Sequence, residues 1–278
     1  MKNMYKLDLL KKWLKEKERV LIAFSGGVDS TLLLKVADDV LGDDVMAVTV
    51  SSSINNPEET RQAIMIAEFI GVKNHHIIEI DDLAIPEVKN NVKDRCYYCK
   101  KNRFEKLLQF ADEANSPVVI EGTNHDDLTD YRPGRIALDE LKIESPLLLL
   151  EFSKQDIREA AKLLELPNWN KNPEPCLATR FPVNTIITEK ELNNVLLSES
   201  FLKSLLSDDE SGNLRVRMHN NLARIEVSPL AFDKIVENKT TITKTLKKIG
   251  FSFVSLDLEG YTVGNMNQED IKNGRKTT

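Results

Sequence analysis

The sequence predicts an α/β protein: a doubly wound parallel sheet, followed by a smaller α+β domain. Through the first part of the chain, runs rich in Val, Ile and Leu alternate with amphipathic stretches of ten or more residues. This alternation is typical of parallel strands covered on both faces by helices. After Leu166 the alternation stops, and a proline-rich segment leads into a region with the pattern of a β-hairpin. The two parts of the chain therefore follow different architectures.

The larger part divides into strands and helices at clear punctuation points. Pro57 stands in the first turn of one predicted helix and Gly71 just past its end, while Gly42 closes the helix before it. The run SPLLLLEF is the most apolar of the chain and fits a buried strand. The predicted strands are 19–24, 44–50, 74–80, 117–121 and 145–150, and the predicted helices are 5–17, 29–41, 57–70, 99–115 and 153–164.

The smaller part begins with LPNWNKNPEPCLATRFPVN, which holds four prolines and predicts a long irregular segment, usually a functional feature. Asn220 and Asn221 separate LRVRMH from LARIEV as a two-residue hairpin turn. Helices are predicted at 188–206 and 229–248 and a last strand at 251–256. The predicted organisation is a sheet domain at 1–166, a cysteine-bearing linker at 167–187, an α+β domain at 188–268 and a mobile tail at 269–278.

Bulk properties exclude several classes of protein. The 278 residues carry a net charge of −6, which argues against a broad nucleic-acid interface and favours a small-molecule substrate. No apolar run approaches the roughly 20 residues of a membrane span, and the charged first residues do not resemble a signal peptide. We expect a cytoplasmic protein that forms a homo-oligomer. In that compartment its three cysteines suggest metal or redox chemistry rather than a disulfide.

The stretch FSGGVDST joins the first predicted strand to the second predicted helix. Gly26 and Gly27 allow a tight turn whose N–H groups approach an anion, and the helix adds its positive N-terminal end. Asp29 would repel a phosphate unless a cation such as Mg²⁺ lay between them. The alternative is an ordinary strand-to-helix turn capped by Asp or Ser. We favour a phosphate site, with hydroxyl donors from Ser25, Ser30 and Thr31.

Two further loops are expected at the same edge of the sheet. Residues 51–56 and 122–127 follow predicted strands, and parallel sheets bind ligands beyond the carboxyl ends of their strands. Gly122 would permit close approach of the backbone there. Acidic residues of this second block could place Mg²⁺ or polar substrate atoms, although a solvated polar loop is the alternative; they are Asp126, Asp127 and Asp130.

The hexapeptide SGGVDS resembles the signature of the PP-loop ATP pyrophosphatases. That resemblance implies the PP-loop fold for residues 1–166 and cleavage of ATP between its α and β phosphates, with adenylation of a substrate. The loop of that family holds the pyrophosphate portion, so the lysine of an ordinary P-loop is not required. The implied ATP contacts, with Mg²⁺ on Asp29, are Ala23, Phe24, Ser25, Gly26, Gly27, Asp29, Ser30, Thr31, Val50, Gly122 and Thr123.

A set of later motifs narrows the resemblance. GTNHDD, DYRPG, PCLATRFP and the RVRMH…RIE hairpin resemble the LarE family of ATP-dependent sulfur transferases, over residues 21–266. That family acts in biosynthesis of the nickel-pincer nucleotide of lactate racemase. The implied reaction is adenylation of a carboxylate of pyridinium-3,5-biscarboxylic acid mononucleotide, followed by displacement of AMP by sulfur to leave a thiocarboxylate. In the sacrificial version, the cysteine at the position of Cys176 gives up its own sulfur and becomes dehydroalanine.

The cysteines depart from that version, because Cys96 and Cys99 accompany Cys176. A structural zinc site wants four ligands, whereas a [4Fe–4S] cluster held by three thiolates leaves one iron open. In LarE-like proteins of this type, resemblance implies that the open iron carries a hydrosulfide, supplied as sulfide or by a sulfur donor. We favour that cluster. The alternatives are sacrifice of Cys176, a redox or persulfide pair, and zinc or mere packing.

The hairpin predicts a second anion site. With Asn220–Asn221 as the turn, Arg217 faces Arg224 and Arg215 faces Glu226, all on one side of the ladder. Opposed arginines favour an anion between them, although a solvated strand face is the alternative.

Family resemblance assigns the remaining roles. The hairpin arginines would bind the phosphate and carboxylate of the substrate. Substrate binding is implied for Arg180, Arg215, Arg217, Glu226 and Asp126, and catalytic roles for Cys176, Lys100 and Asp29. A tRNA thiolation enzyme with the same PP-loop chemistry is the competing function, and the acidic net charge disfavours it.

Overall fold

A computed structural model describes residues 2–115, 118–129, 133–172, 174–207 and 212–262, with backbone alone at residues 2, 3 and 129. The strands are β1 Val20–Ala23, β2 Val45–Ser51, β3 His75–Glu79, β4 Val119–Ile120, β5 Arg215–His219, β6 Leu222–Glu226 and β7 Phe253–Leu256. The helices are α1 Lys2–Lys15, α2 Val28–Leu41, α3 Pro57–Ile70, α4 Pro86–Lys89, α5 Arg95–Glu113, α6 Gly134–Glu140, α7 Pro146–Leu149, α8 Lys154–Leu163, α9 Glu189–Leu205, α10 Phe232–Glu237 and α11 Lys239–Ile249. Short 3₁₀ turns lie between several of them.

The first four strands form one parallel sheet in the order β3-β2-β1-β4. β1 is central: Val20, Leu21 and Ile22 are completely buried, so the strand reads as a continuous apolar run. The chain moves from β1 to β2 on one side and returns to β4 on the other. Loops after β1 and β4 therefore flank the point where the strand order reverses, which is the usual ligand site of such a sheet.

Alternate residues of β1 pack into two different cores. Val20 and Ile22 join the apolar sides of α1, α2 and α8, while Leu21 joins α5 through Phe104 and Leu107. Because neighbouring strand residues point to opposite faces, both faces of the sheet are covered. The predicted doubly wound α/β fold is confirmed.

Two element predictions need correction. Residues 145–150 were expected to form a strand, but α7 is a helical turn, and only Glu144 pairs with Ile120 in an isolated bridge. Pro146 explains the difference, since proline has no N–H for a ladder and fits the first position of a helix. Helix α5 begins at Arg95 rather than near residue 99, so the whole cysteine pair is helical.

The chain divides into two compact units, residues 1–85 with 94–173, and residues 86–93 with 174–278. The second unit holds a sheet in the order β5-β6-β7, where β5 and β6 are antiparallel and β7 runs parallel to β6. The predicted helix at 229–248 is interrupted at Asn238, whose side chain donates to the Lys234 carbonyl at 2.8 Å. The predicted tail, 269–278, lies outside the described residues.

In the described ranges, no helix is both long and apolar enough to cross a membrane.

Candidate active site

The loop between β1 and α2 has the geometry of an anion site. Gly26 adopts φ +68°, and a Cβ there would lie 3.0 Å from Ala63, so both its backbone and its surroundings require glycine. Gly27 precedes the helix and no side chain caps it. The first N–H groups of α2 therefore remain available to a ligand. This excludes the alternative of a turn closed by an Asp or Ser cap.

Hydroxyl groups brace this loop from within. Ser30 Oγ donates to the Gly27 carbonyl at 3.1 Å and shares a 3.1 Å hydrogen bond with Ser25 Oγ. Thr31 is completely buried, and its hydroxyl accepts from Asn168 Nδ2 at 2.9 Å. The same amide donates to the Gly26 carbonyl at 3.0 Å. Asn168 thus supports the loop from a segment 142 residues further along.

A cavity of about 330 Å³ opens beside the loop. Its apolar wall includes Val48, Val50, Phe104 and Leu107, a suitable surface for an aromatic base. The residues expected to bind nucleotide that line it are Ala23, Phe24, Ser25, Asp29, Ser30, Val50, Gly122 and Thr123. Gly26, Gly27 and Thr31 are not among the described lining residues. Asn55, from the expected loop 51–56, also lines it, and further lining residues not expected from sequence are Glu59, Thr60, Arg103 and Glu121.

Asp29 has a cationic partner within the chain. Lys154 Nζ lies 2.6 Å and 2.8 Å from the two Asp29 carboxylate oxygens. The main-chain N–H of Lys154 donates to Asp126 Oδ2 at 2.9 Å, so Asp126 anchors the start of α8. A charge expected to need Mg²⁺ is therefore already balanced by a lysine. No local motif around Lys154 indicates this role.

The first turn of α8 is rigidly defined. Ser153 and Asp156 form a reciprocal capping box, and Lys6 Nζ lies 2.7 Å from Asp156. Burial alone would raise the pKa of Asp156, but the hydrogen bonds from Lys6 and Ser153 lower it well below its usual range. The carboxylate stays ionised at neutral pH and fixes the origin of the Lys154 side chain.

Two glycines allow close packing around the cavity. A Cβ at Gly122 would lie 3.0 Å from the Ser30 nitrogen, so the loop after β4 presses directly against the start of α2. A Cβ at Gly134 would lie 3.0 Å from Lys100 Cδ. Gly134 is the last residue of the DYRPG motif, whose residues 130–132 lie outside the described ranges. It leaves room for the turn of α5 that carries the cysteine pair.

Lys100 lines the same cavity and faces a buried acid. Its Nζ is 3.4 Å from Glu121 Oε2. The Glu121 carboxylate also accepts from the Thr123 N–H at 2.9 Å and the Thr123 hydroxyl at 2.7 Å. This network fixes Glu121, and through it the position of Lys100, at the carboxyl end of β4.

All three cysteines carry free thiols. Cys96 and Cys99 lie one turn apart on α5, the first exposed and the second half-buried, so their thiols share one helix face. Half-buried Cys176 precedes a 3₁₀ turn, and its carbonyl accepts from Thr179 Oγ1 at 2.8 Å. Among the residues that the structure describes, no three His, Cys, Asp or Glu side chains are grouped to hold a metal ion. The thiol chemistry suits a soft metal, but the grouping itself is not seen.

In the second unit the predicted hairpin register is confirmed, with Arg217 opposite Arg224 and Arg215 opposite Glu226. Glu226, completely buried, is the anion between the opposed arginines: it accepts from Arg217 Nε and from Arg224 Nη2, each at 2.9 Å. Arg217 also donates to the Thr179 carbonyl at 3.0 Å. Arg215 and Arg217 are each 6% exposed, so the alternative of a solvated strand face is wrong.

Arg180 and Arg215 differ in how their charges are balanced. Arg180 donates to both oxygens of Glu199, at 3.0 Å and 3.2 Å. Burial would lower the pKa of Arg180, but Glu199 raises it overall. Burial and then the Arg180 charge lower the pKa of Arg215. Arg215 donates to the Leu214 carbonyl and lies over the Tyr261 ring, and no carboxylate in the described ranges forms an ion pair with it. It is therefore the better candidate for an external anion.

Comparison with known proteins agrees with this geometry. The NAD synthase family matches residues 5–128. Over 265 residues the chain is 40% identical to an uncharacterized protein of Synechocystis, covering 95% of this chain and 97% of that protein. Over 255 residues it is 38% identical to the pyridinium-3,5-bisthiocarboxylic acid mononucleotide synthase of Lactiplantibacillus plantarum, covering 91% of each. The chain belongs to the LarE family. It is thus an ATP-dependent enzyme of PP-loop type.

The chain is also 36% identical over 260 residues to an uncharacterized protein of Methanocaldococcus jannaschii, covering 92% of this chain and 97% of that protein.

Proposed function

We propose that this enzyme adenylates a carboxylate of pyridinium-3,5-biscarboxylic acid mononucleotide and converts it to a thiocarboxylate. The observation that carries the proposal is the near full-length similarity to a protein named as the synthase of the corresponding bisthiocarboxylic nucleotide. The uncapped start of α2 beside a nucleotide-sized cavity supports it independently.

In the first step a substrate carboxylate oxygen bonds to the α-phosphorus, and the bond from that phosphorus to the pyrophosphate oxygen breaks. The N–H groups at the start of α2 stabilise the departing pyrophosphate, together with Ser25 and Ser30. Asp29 would hold Mg²⁺ against the phosphates. Lys100, on the cavity wall, offsets charge that develops on the acyl-adenylate.

In the second step a sulfur nucleophile attacks the acyl carbon, a C–S bond forms, and the C–O bond to AMP breaks. Cys96, Cys99 and Cys176 are proposed as thiolate ligands of a [4Fe–4S] cluster that would supply this sulfur from its open iron. The placement of Cys96 and Cys99 one helical turn apart supports their binding to one shared metal centre as soft thiolate ligands. Direct sacrifice of Cys176 is the alternative chemistry.

Lys154 is proposed to bind phosphate once Mg²⁺ occupies Asp29. Lys154→Met is expected to raise the KM for ATP by about 10–100-fold, because a charge-assisted hydrogen bond contributes about 1.5–3 kcal/mol. Lys162→Met is the matched control, since Lys162 lies on the same helix and packs over the Trp169 ring. Steady-state pyrophosphate release measures both. Equal effects of the two variants would contradict the role.

Arg215 is proposed to bind an anionic group of the substrate, supported by Arg180, Arg217 and Glu226. Arg215→Gln is expected to raise the KM for the bis-carboxylate nucleotide about 10–100-fold and to leave the KM for ATP within about twofold. Arg217→Gln is the contrasting variant: it leaves buried Glu226 without one of its two guanidinium partners and is expected chiefly to lower the melting temperature. A rise in both KM values for Arg215→Gln would count against the assignment.

The decisive test is a mass-spectrometric assay with ATP, Mg²⁺, sulfide and the bis-carboxylate nucleotide. A thiocarboxylate product with AMP and pyrophosphate is expected. Release of ADP would refute PP-loop chemistry, and transfer of sulfur to unmodified tRNA instead would establish the competing function.

A further inference from the structure

A buried acid beside the cavity has no role in the chemistry described so far. Asp82 is completely buried in the 3₁₀ turn that follows β3. Arg103 of α5 donates to its carboxylate through Nε, at 3.1 Å and 3.3 Å, and through Nη2. The Cys99 thiol donates to the same carboxylate at 3.6 Å. One carboxylate therefore holds two side chains that are four residues apart on α5.

This arrangement fixes a guanidinium rigidly. Burying a carboxylate costs several kcal/mol unless a partner satisfies it, and a two-nitrogen contact restricts arginine to one plane. Arg103 Nη2 donates to Asn55 Oδ1 at 2.6 Å as well. The Arg103 side chain remains 19% exposed. Asp82 and Asn55 therefore hold the guanidinium in place while part of the side chain still reaches solvent.

That exposed part belongs to the cavity wall. Arg103 and Asn55 both line the cavity beside the glycine loop. The cationic side chains among its described lining residues are Lys100 and Arg103, and the acidic ones are Asp29, Glu59, Glu121 and Asp127. A polyanionic ligand in such a cavity needs cationic donors in fixed positions, and arginine meets phosphate or carboxylate oxygens through a planar fork.

We propose that Arg103 binds an anionic group of the ligand in this cavity, and that Asp82 is the positioning residue that orients it. The inference rests on the proposed function, since it takes the ligand to be ATP or its acyl-adenylate. Asp82 acts through Arg103 and does not touch the ligand.

Calorimetric binding of α,β-methylene-ATP tests the proposal without any sulfur transfer. Arg103→Gln is expected to weaken binding about tenfold or more, and Arg103→Lys, which keeps the charge without the fork, by less. Asp82→Asn is expected to weaken binding about fivefold, as for a supporting residue that orients a ligand-binding one. Asp81→Asn is the matched control, because the neighbouring Asp81 caps Leu83 and Ala84 and retains an acceptor oxygen.

The double variant separates positioning from mere support of the fold. If Asp82 works through Arg103, then Asp82→Asn with Arg103→Gln binds no more weakly than Arg103→Gln alone. Additive losses, or a lower melting temperature with unchanged affinity for Asp82→Asn, would overturn the positioning role. Should Asp82→Asn fail to fold, unchanged affinity in Arg103→Gln still overturns the proposal. A wild-type protein that does not bind the analogue would overturn the proposed function as well.

Discussion

Asp29→Asn is expected to lower the rate of pyrophosphate release about 10³-fold while the protein stays folded. The carboxylate lines the cavity and pairs with Lys154 at 2.6 Å. Its amide analogue binds neither Mg²⁺ nor the ammonium group with comparable strength, and loss of metal-based charge stabilisation costs several kcal/mol in the transition state. The measurement is pyrophosphate release under saturating ATP and substrate.

The control is Asp39→Asn on the same helix. Asp39 forms an (i, i+4) ion pair with Lys35 and lies away from the loop. Asp39→Asn is therefore expected to lower the free energy of unfolding by less than about 1 kcal/mol and to leave the activity unchanged. At saturating ATP, Asp29→Asn combined with Lys154→Met should be little worse than Asp29→Asn alone, because the role proposed for Lys154 lies in the KM for ATP. An Asp29→Asn enzyme with nearly full activity would remove Asp29 from the catalytic mechanism.

The glycine loop and Lys154 show what could be predicted from sequence and what could not. A strand, two glycines and a helix follow one another within residues 20–41, so the phosphate geometry is a local property of the chain. Lys154 reaches Asp29 across 125 positions, and Asn168 supports Gly26 across 142. No periodicity or spacing indicates such pairs; the order of strands in the sheet brings them together.

The hairpin and α7 also separate what a local pattern predicts from what packing decides. The two-residue turn sets the register, so the facing arginines could be predicted. That Glu226 neutralises them depends on complete burial of that carboxylate, which follows from packing. The apolar run before Phe152 is compatible with either a strand or a buried helix, because both have this composition. Pro146 decides for a helical turn, because proline has no N–H for a strand ladder and fits the first position of a helix.

The cysteines carry the other large prediction. Cys96→Ser, Cys99→Ser and Cys176→Ser are each expected to lower thiocarboxylate formation at least about 10³-fold, because loss of a group that carries the nucleophile disables the step. Pyrophosphate release should persist in all three, since the glycine loop and Lys154 are intact. Tyr98→Phe is the matched control: Tyr98 lies between the helical cysteines and is 38% exposed, and the change removes a hydroxyl but no thiol.

The cluster mechanism and the sacrifice of Cys176 predict different results for the three serine variants. A cluster needs all three thiolates, turns over repeatedly and leaves Cys176 chemically unchanged in the peptide mass spectrum. Sacrifice needs Cys176 alone, so Cys96→Ser and Cys99→Ser would retain one turnover and Cys176 would appear as dehydroalanine. Iron and sulfide analysis of anaerobically reconstituted protein should show binding in the wild type that each serine variant weakens. Repeated turnover by metal-free protein would exclude the cluster, because sulfur would then reach the substrate in every cycle without iron.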